Sequence, residues 1–217
     1  MLFRSGFEAG YRNTGSYNTT LGFQAGKSTN SGAYNTALGS NALFSNTTAS
    51  NNTAVGYQAA YTNATGSRIT AVGFQAGYTS AVVSANAFNT YLGYQAGYYD
   101  ATGIHNTFLG YASGPNTTSS ASGSYNTAIG SLAGIGMTSG SNNTSLGYQA
   151  LQANTTANNN TAVGYQAGYS TTTGNIDAFG YGALYSNTTG LENAAFGGVR
   201  SEEHTSELQS RETISYA

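Results

Sequence analysis

The sequence predicts an all-β protein: a β-solenoid, or β-roll, of about twelve coils of ~17 residues, with two short strands in each coil. Three observations support this fold class. A ten-residue unit recurs, as in NNTAVGYQAA at 51–60 and NNTAVGYQAG at 159–168. Apolar residues do not recur at the three- and four-residue steps of an amphipathic helix. Glycine, asparagine, serine and threonine, which are poor helix formers, fill the intervening positions.

The repeat is anchored on the glycine of the AVG motif. Below, positions are counted from this anchor glycine, so that −1 precedes it and +1 follows it. The two longest spacings contain the inserts TSAVVSANAF and GPNTTSSASGSY, which we expect to lie in turns outside the stack. Twelve anchors are spaced 16, 17 or 20 residues apart: Gly6, Gly22, Gly39, Gly56, Gly73, Gly93, Gly110, Gly130, Gly147, Gly164, Gly180 and Gly197.

Two positions of the repeat are predicted to form the core. The residue at −1 is apolar in eleven of the twelve repeats, and alanine occupies +3 in ten of them. A small residue at +3 indicates a narrow interior. The segments NTAVG and YQA are predicted to be the two strands, separated by the anchor glycine. The predicted core residues are Val55, Val72, Leu92, Leu109, Ile129, Leu146, Val163, Ala59, Ala76, Ala96 and Ala167.

Asparagine and aromatic residues form further columns of the repeat. An Asn-Thr pair recurs at −4 and −3, and stacked asparagines are expected to hydrogen-bond along a ladder. An aromatic residue follows the anchor in nine repeats, and a second aromatic column lies at +5. Stacked aromatics stabilise solenoids, but rings beside amides and hydroxyls also suit carbohydrate. The candidate carbohydrate contacts are Tyr57, Tyr94, Tyr148 and Tyr165.

Charge and cysteine content exclude several classes of function. Only 6% of the residues are charged, and residues 1–199 carry four basic and four acidic side chains. This balance gives no electrostatic basis for binding nucleic acid or an acidic membrane. Cysteine is absent, so disulfides and thiolate metal sites are excluded. No apolar run approaches the ~20 residues of a membrane helix, so this segment is expected to make no membrane contact.

The residues needed for catalysis are scarce. His105 occupies the position that Tyr34 or Phe88 fills in other coils, which indicates a turn residue. The carboxylates of Asp100 and Asp177 lie in different coils with no partner at a motif spacing. We therefore expect no enzyme activity, no catalytic residue, no cofactor and no metal.

One large apolar residue and one alanine per coil make a thin core for a monomer. Neighbouring chains are expected to complete it, most simply as a homotrimer around the rod axis. The mass of the particle in solution tests this expectation, because a trimer has three times the mass of one chain.

The units NTAVGYQA and NTALGSNA resemble the head repeats of YadA-like trimeric autotransporter adhesins, over roughly residues 3–199. The resemblance implies a left-handed β-roll that trimerises and forms an adhesive head outside the cell, on the bacterial surface. A host-surface glycan or a matrix protein would be its partner. The repeat is longer than the family's usual coil, and the Tyr-Gln pair departs from its pattern. The alternative is a phage tail-fibre shaft or receptor-binding region, located on the virion.

The last residues have a different origin. RSEEHTSELQS at 200–210 resembles the translation of a common short-read sequencing adapter, and the frame continues through an index to Ala217. The sequence therefore divides into a repetitive β-solenoid fragment at 1–199, of metagenomic type, and a non-native, disordered tail at 200–217.

Overall fold

The computed structural model describes residues 2–80, 86–117 and 120–198. The expectation for the tail at 200–217 lies outside the described residues. Within the described ranges the chain forms twelve strands and no helix. The strands are β1 (Phe3–Ser5), β2 (Thr19–Leu21), β3 (Thr36–Leu38), β4 (Thr53–Val55), β5 (Thr70–Val72), β6 (Thr90–Leu92), β7 (Thr107–Leu109), β8 (Thr127–Ile129), β9 (Thr144–Leu146), β10 (Thr161–Val163), β11 (Asn175–Phe179) and β12 (Leu191–Phe196).

All twelve strands belong to one parallel sheet, ordered as in the chain. Each paired residue lies beside the same repeat position of the next coil, as Val55 does beside Val72, except at Asn175, where the register between β11 and β12 shifts. Adjacent strands lie about 4.8 Å apart, so eleven steps from β1 to β12 rise about 53 Å. The predicted β-solenoid with a ~17-residue repeat is confirmed. Both 20-residue repeats keep this register, because β6 pairs in step with β5, and β8 with β7.

The second strand predicted in each coil is wrong for the described residues, where each coil carries one strand. The YQA segment is a turn, because Gln58 has a φ of 53° and the preceding Gly56 has a φ of 130°. Neither angle is compatible with an extended strand. At Gly56 a Cβ would also collide with the backbone carbonyl of Gly73. The turn still bonds to its neighbours, since the Gln58 N–H donates to the Ser40 carbonyl at 2.9 Å.

The prediction for the core is correct at +3 and wrong at −1. The four predicted alanines at +3 are fully buried. Leu92, Leu109 and Leu146 are instead 38–43% exposed, and the remaining predicted residues, Val55, Val72, Ile129 and Val163, are only partly buried. Alternate residues of a strand face opposite sides, so −3 and −1 point outward while −2 points inward. From β2 to β12, the residue at −2 is therefore interior.

The narrow interior is filled from different positions in different coils. Alanine occupies −2 in most coils, and the remaining space is taken by a larger residue elsewhere in the coil, such as Leu43 at +4. Where −2 is Tyr91 or Phe108, the nearby +4 position is glycine, and a Cβ at Gly97 or Gly114 would strike those rings. A large side chain at one interior position is thus accompanied by a small residue at another, so that the interior volume stays similar from coil to coil. The largest fully buried apolar side chains are Tyr91, Phe108, Leu43, Ile69, Met137, Leu151 and Ile176.

The asparagines at −4 form the expected ladder. Asn35 Oδ1 accepts the backbone N–H of Asn52 at 3.0 Å, and the Asn35 Nδ2 group donates to the Ala49 carbonyl at 2.9 Å. The same pair of bonds recurs at Asn126 and Asn143. The rungs therefore join each side chain to the main chain of the next coil, which satisfies buried backbone groups at the strand entry.

Candidate binding surface

One exposed face of the rod is formed by the outward side chains of the sheet. We call it the strand face and define it as positions −3 and −1 of β2 to β10. Position −3 is threonine in all nine strands, and position −1 is leucine, valine or isoleucine. No charged residue interrupts it. It is therefore a continuous, neutral, half-apolar surface along most of the rod.

A column of stacked rings lies beside the strand face, beyond the bend at the anchor glycine. We call it the aromatic ladder and define it as position +1. Tyr57, Phe74, Tyr94 and Tyr111 form one stack with ring centroids 5.0–5.3 Å apart. Tyr148, Tyr165 and Tyr181 form a second, at 4.9–5.3 Å, and Phe7 stacks on Phe23 at 5.6 Å. The planes of neighbouring rings differ by 21° at most. Each ring therefore turns its faces to the coils before and after it.

The four predicted carbohydrate contacts are all exposed members of this ladder. Tyr94 lies between Phe74 and Tyr111, and Tyr165 lies between Tyr148 and Tyr181. These two rings present only their edges and hydroxyl groups to solvent. Tyr57 and Tyr148 each have one aromatic neighbour and one face without a stacked ring. Sugars stack on ring faces, so only Tyr57 and Tyr148 of the four are arranged for such a contact.

The free faces of Tyr57 and Tyr148 adjoin interruptions of the ladder. Serine replaces the aromatic residue at +1 in two coils, as Ser40 and Ser131. The repeat pattern does not predict a role for these serines, because their one signal is the absence of a ring from these two repeats. Phe23 and Tyr111 end the stacks on the other side of these serines, so a ring bounds each interruption on both sides.

Two further columns of aromatic rings lie at positions +5 and −5 of the repeat. At +5, Phe44, Tyr61, Tyr78 and Tyr98 are stacked at 4.9–5.2 Å. Burial raises the pKa of the Tyr78 and Tyr98 hydroxyls. At −5, His105 is stacked between Phe88 and Tyr125, each at 5.0 Å, and has a φ of 58°. His105 is thus a turn residue of a ring column, as its repeat position predicts.

Asp100 is a buried carboxylate in the middle of the rod. Its Oδ2 accepts the Tyr91 hydroxyl at 2.8 Å and the Asn106 Nδ2 group at 2.9 Å. Burial raises the Asp100 pKa to about 6, opposed by the bonds from Asn106 and Tyr91 and by the nearby Gly103 N–H. The Asp100 Oδ1 atom has no hydrogen bond within the described residues, so the Gly103 N–H lies near this oxygen without bonding to it. The Tyr91 pKa is raised well above its ordinary value, first by burial and then by Asp100.

The described residues do not assemble acidic or imidazole groups into a larger site. Asp177 lies on the exterior of β11 and Glu192 on the exterior of β12, whereas Asp100 is interior. Within 2–80, 86–117 and 120–198, no group of three or more His, Cys, Asp or Glu side chains could hold a metal ion. The same part of the chain contains no helix with the length and apolar character to cross a membrane.

Comparisons with known proteins found no matching family model, no matching curated protein and no matching solved structure.

Proposed function

We propose that this chain is a structural or adhesive segment of an extracellular fibre, located on a bacterial surface and associated as a homotrimer through its strand face. The observation that carries the proposal is the exposed apolar column at −1. Leucine, valine or isoleucine stands outward at every strand from β2 to β10. An exposed apolar column does not stabilise a soluble monomer, whereas association into a fibre would bury it and so stabilise the assembly.

The strand face is an uncharged surface of moderate area. Its nine strands are each about 10 Å long and rise about 38 Å over eight steps, so the face covers on the order of 400 Å². That is within the range of the largest apolar patch on a monomer, about 300–600 Å², which is often functional. The face is neutral, so its desolvation does not require burying a charge. Three-fold association and the adhesin type rest on the resemblance to YadA-like heads.

The tail-fibre alternative uses the same observation. A rod of stacked coils with an apolar face serves equally as the shaft or receptor-binding region of a virion fibre. The two assignments differ in the domains that the complete open reading frame joins to the repeat, and sequencing that frame distinguishes them. An intramolecular chaperone domain favours the virion fibre, and a membrane β-barrel anchor favours the adhesin.

Association is tested by sedimentation and light scattering of the chain. We expect three times the monomer mass of 22.2 kDa. The variant Leu38→Lys/Leu146→Lys, which places charges on the strand face, should dissociate the assembly because the lysines would be buried unpaired. The matched control is Thr48→Lys/Thr156→Lys, at exposed turn residues, and it should leave the mass unchanged. A folded wild-type chain of 22.2 kDa would contradict the proposal.

A further inference from the structure

The two interruptions of the aromatic ladder have the shape of a missing ring. We call them the Ser40 slot, bounded by Phe23 and Tyr57, and the Ser131 slot, bounded by Tyr111 and Tyr148. The strands beneath each slot are in unbroken register, from Leu21 to Leu38 to Val55 in the first case. Two strand steps therefore separate the bounding residues, which is about 9.6 Å.

The bounding rings are the last members of the stacks on either side of each slot. Phe23 stacks on Phe7 with planes 12° apart, and Tyr57 stacks on Phe74 with planes 21° apart. Each bounding ring therefore has one face covered by its own stack and its other face on the side of the slot. A ring inserted halfway would stand about 4.8 Å from each wall, close to the 4.9–5.6 Å spacing within the ladder. Each slot thus accommodates one six-membered ring.

The polar groups beside the slots lack partners. Within the described residues, the hydroxyls of Ser40 and Ser131 make no hydrogen bond, and neither do the side-chain N–H groups of Gln58 and Gln149, although the Oε1 atoms of both glutamines accept from the following coil. The reason is the same in both places. The preceding coil carries Asn41 or Leu132 where six of the twelve coils have glutamine, so the ladder of side-chain amides is interrupted at both slots, as it also is at Ala112.

The Ser40 slot has one more unpaired group. Asn41 Oδ1 is buried and has no hydrogen bond within the described part of the chain. The Asn41 side chain is half-exposed, so rotation of its amide would present this oxygen to a donor. Leu132 offers no such acceptor beside Ser131. The Ser40 slot therefore holds the richer set of donors and acceptors.

From this geometry we propose that each slot binds one neutral pyranose ring of a glycan, sandwiched between two aromatic side chains. A β-glucose unit carries only axial C–H groups on both faces, which suits two aromatic walls, and its equatorial hydroxyls project at the rim, toward the serine and the amides. No charged residue forms either slot, so a neutral sugar is favoured over an acidic one. The proposal deepens the adhesive alternative of the proposed function but does not depend on association.

The two slots lie on the same column of the rod. Ser40 and Ser131 are five coils apart, which corresponds to about 24 Å. Because the walls of each slot are stacked along the rod, a sugar ring held between them lies across the rod, and a linear β-glucan runs in the plane of its rings. The two slots therefore bind separate glucan units, and we expect two independent sites per chain.

The direct test is a titration of the chain with cellohexaose, followed by calorimetry. The variant Ser40→Tyr/Ser131→Tyr fills both slots with the residue that other coils carry at +1, so its fold should be preserved, as circular dichroism would verify. We expect at least a tenfold loss of affinity. The matched control Asn51→Tyr/Asn142→Tyr adds rings at −5, where Tyr34 and Tyr125 occur naturally, and should bind as the wild type does.

A third variant separates the slot from general aromatic contact. Tyr94→Ser creates a new gap between Phe74 and Tyr111, so binding of short oligomers such as cellotriose should rise from two sites per chain to three. If tyrosines at +1 contacted sugar one by one, the same change would lower binding. Asn41→Leu should weaken the Ser40 slot selectively.

Two results would overturn the proposal: unchanged binding by the slot-filled variant, or no binding of cellohexaose by the wild type at millimolar concentration. These results are distinct from failure of the proposed function. A trimer that does not bind the glucan overturns only the slots, and a monomer that binds it overturns only the association.

Discussion

The middle coils and the flanking coils of the rod have the same exterior but different interiors. In the middle, Tyr91 and Phe108 occupy −2, and the Tyr91 hydroxyl is bound by the buried Asp100. In the flanking coils from β3 to β5 and from β8 to β12, −2 is alanine or serine, and the interior is filled by residues such as Leu151 and Ile176. The −3, −1 and +1 columns run across both regions in one register. The comparison shows that the repeat constrains the exterior more tightly than the interior.

The largest expected effect is the loss of a middle-coil ring. Phe108→Ala should lower the free energy of unfolding by about 3–5 kcal/mol, because the buried ring leaves a cavity against Gly114. In a flanking coil, Ile176→Val should cost only about 0.5–1.5 kcal/mol, since one methylene is lost. Denaturant unfolding followed by circular dichroism measures both. A cost below that of Ile176→Val would show that the middle coils collapse around the gap.

The second effect is a fall of stability with rising pH that the buried carboxylate of the middle coils should produce. The folded chain raises the Asp100 pKa from 3.8 to about 6, so the folded state binds the proton more tightly than the unfolded state does. Stability should therefore fall as the pH rises from about 4 to 6 and then level off, by about 3 kcal/mol in total.

The variant Asp100→Asn tests this dependence. It removes the buried charge, so its gain over the wild type should appear above about pH 6 and vanish near pH 4. Taking the difference between the two chains cancels the opposite contribution of Glu8, whose pKa is lowered by Lys27 and Gln24. Asp177→Asn, at an exposed residue of β11, is the control and should leave the profile unchanged. A pH-independent difference for Asp100→Asn would contradict the assignment.

A third effect compares two rungs of the asparagine ladder. Asn143→Ala should cost about 1–3 kcal/mol, because it leaves the Asn160 N–H without its acceptor and removes the shorter of the two hydrogen bonds to the Ala157 carbonyl. Asn106→Ala, in the middle, should cost more, because Asp100 also loses a donor. Thermal unfolding of the two variants, with Thr156→Ala as an exposed control, measures the difference. Equal costs would mean that the Asn106 bond does not stabilise Asp100.

The smallest effect concerns the exterior. Tyr94→Ser in the middle and Tyr165→Ser in a flanking coil each remove a ring stacked on two neighbours. Both should cost about 0.5–1.5 kcal/mol for each ring pair lost. Similar values in the two regions would support the conclusion that the outer columns do not depend on the interior. A difference larger than this range would show that the two are coupled.

Much of the fold could be predicted because it is periodic. The anchor glycines gave the coil length, the alanines at +3 gave the narrow interior, and the asparagines at −4 gave the ladder. The side chains at −1 were assigned to the wrong side because a large apolar residue is usually buried. In a three-residue strand, alternation decides which side is interior, and the alanine at −2 is the inward residue.

The binding surface was harder to predict because its features are exceptions to the repeat. In the sequence, nothing distinguishes Ser40 and Ser131 from other serines. Only the register of the sheet places an aromatic ring on either side of each. Asp100 is similarly an isolated carboxylate in the sequence. Its partners Tyr91 and Asn106 follow no motif spacing and come close to it only when the coils fold. Trimer formation, surface location, glycan binding and the origin of residues 200–217 stay predictions.

The register of the sheet also bears on mechanics. Hydrogen bonds between coils run along the rod, as from the Gly56 N–H to the Leu38 carbonyl at 2.8 Å. Tension along the rod therefore loads one coil interface directly, and coils should detach singly instead of shearing together. A detached coil of about 17 residues extends to about 56 Å in place of its rise of about 4.8 Å. A fibre built from this repeat would lengthen in steps of about 50 Å under load, and so absorb a sudden pull without breaking.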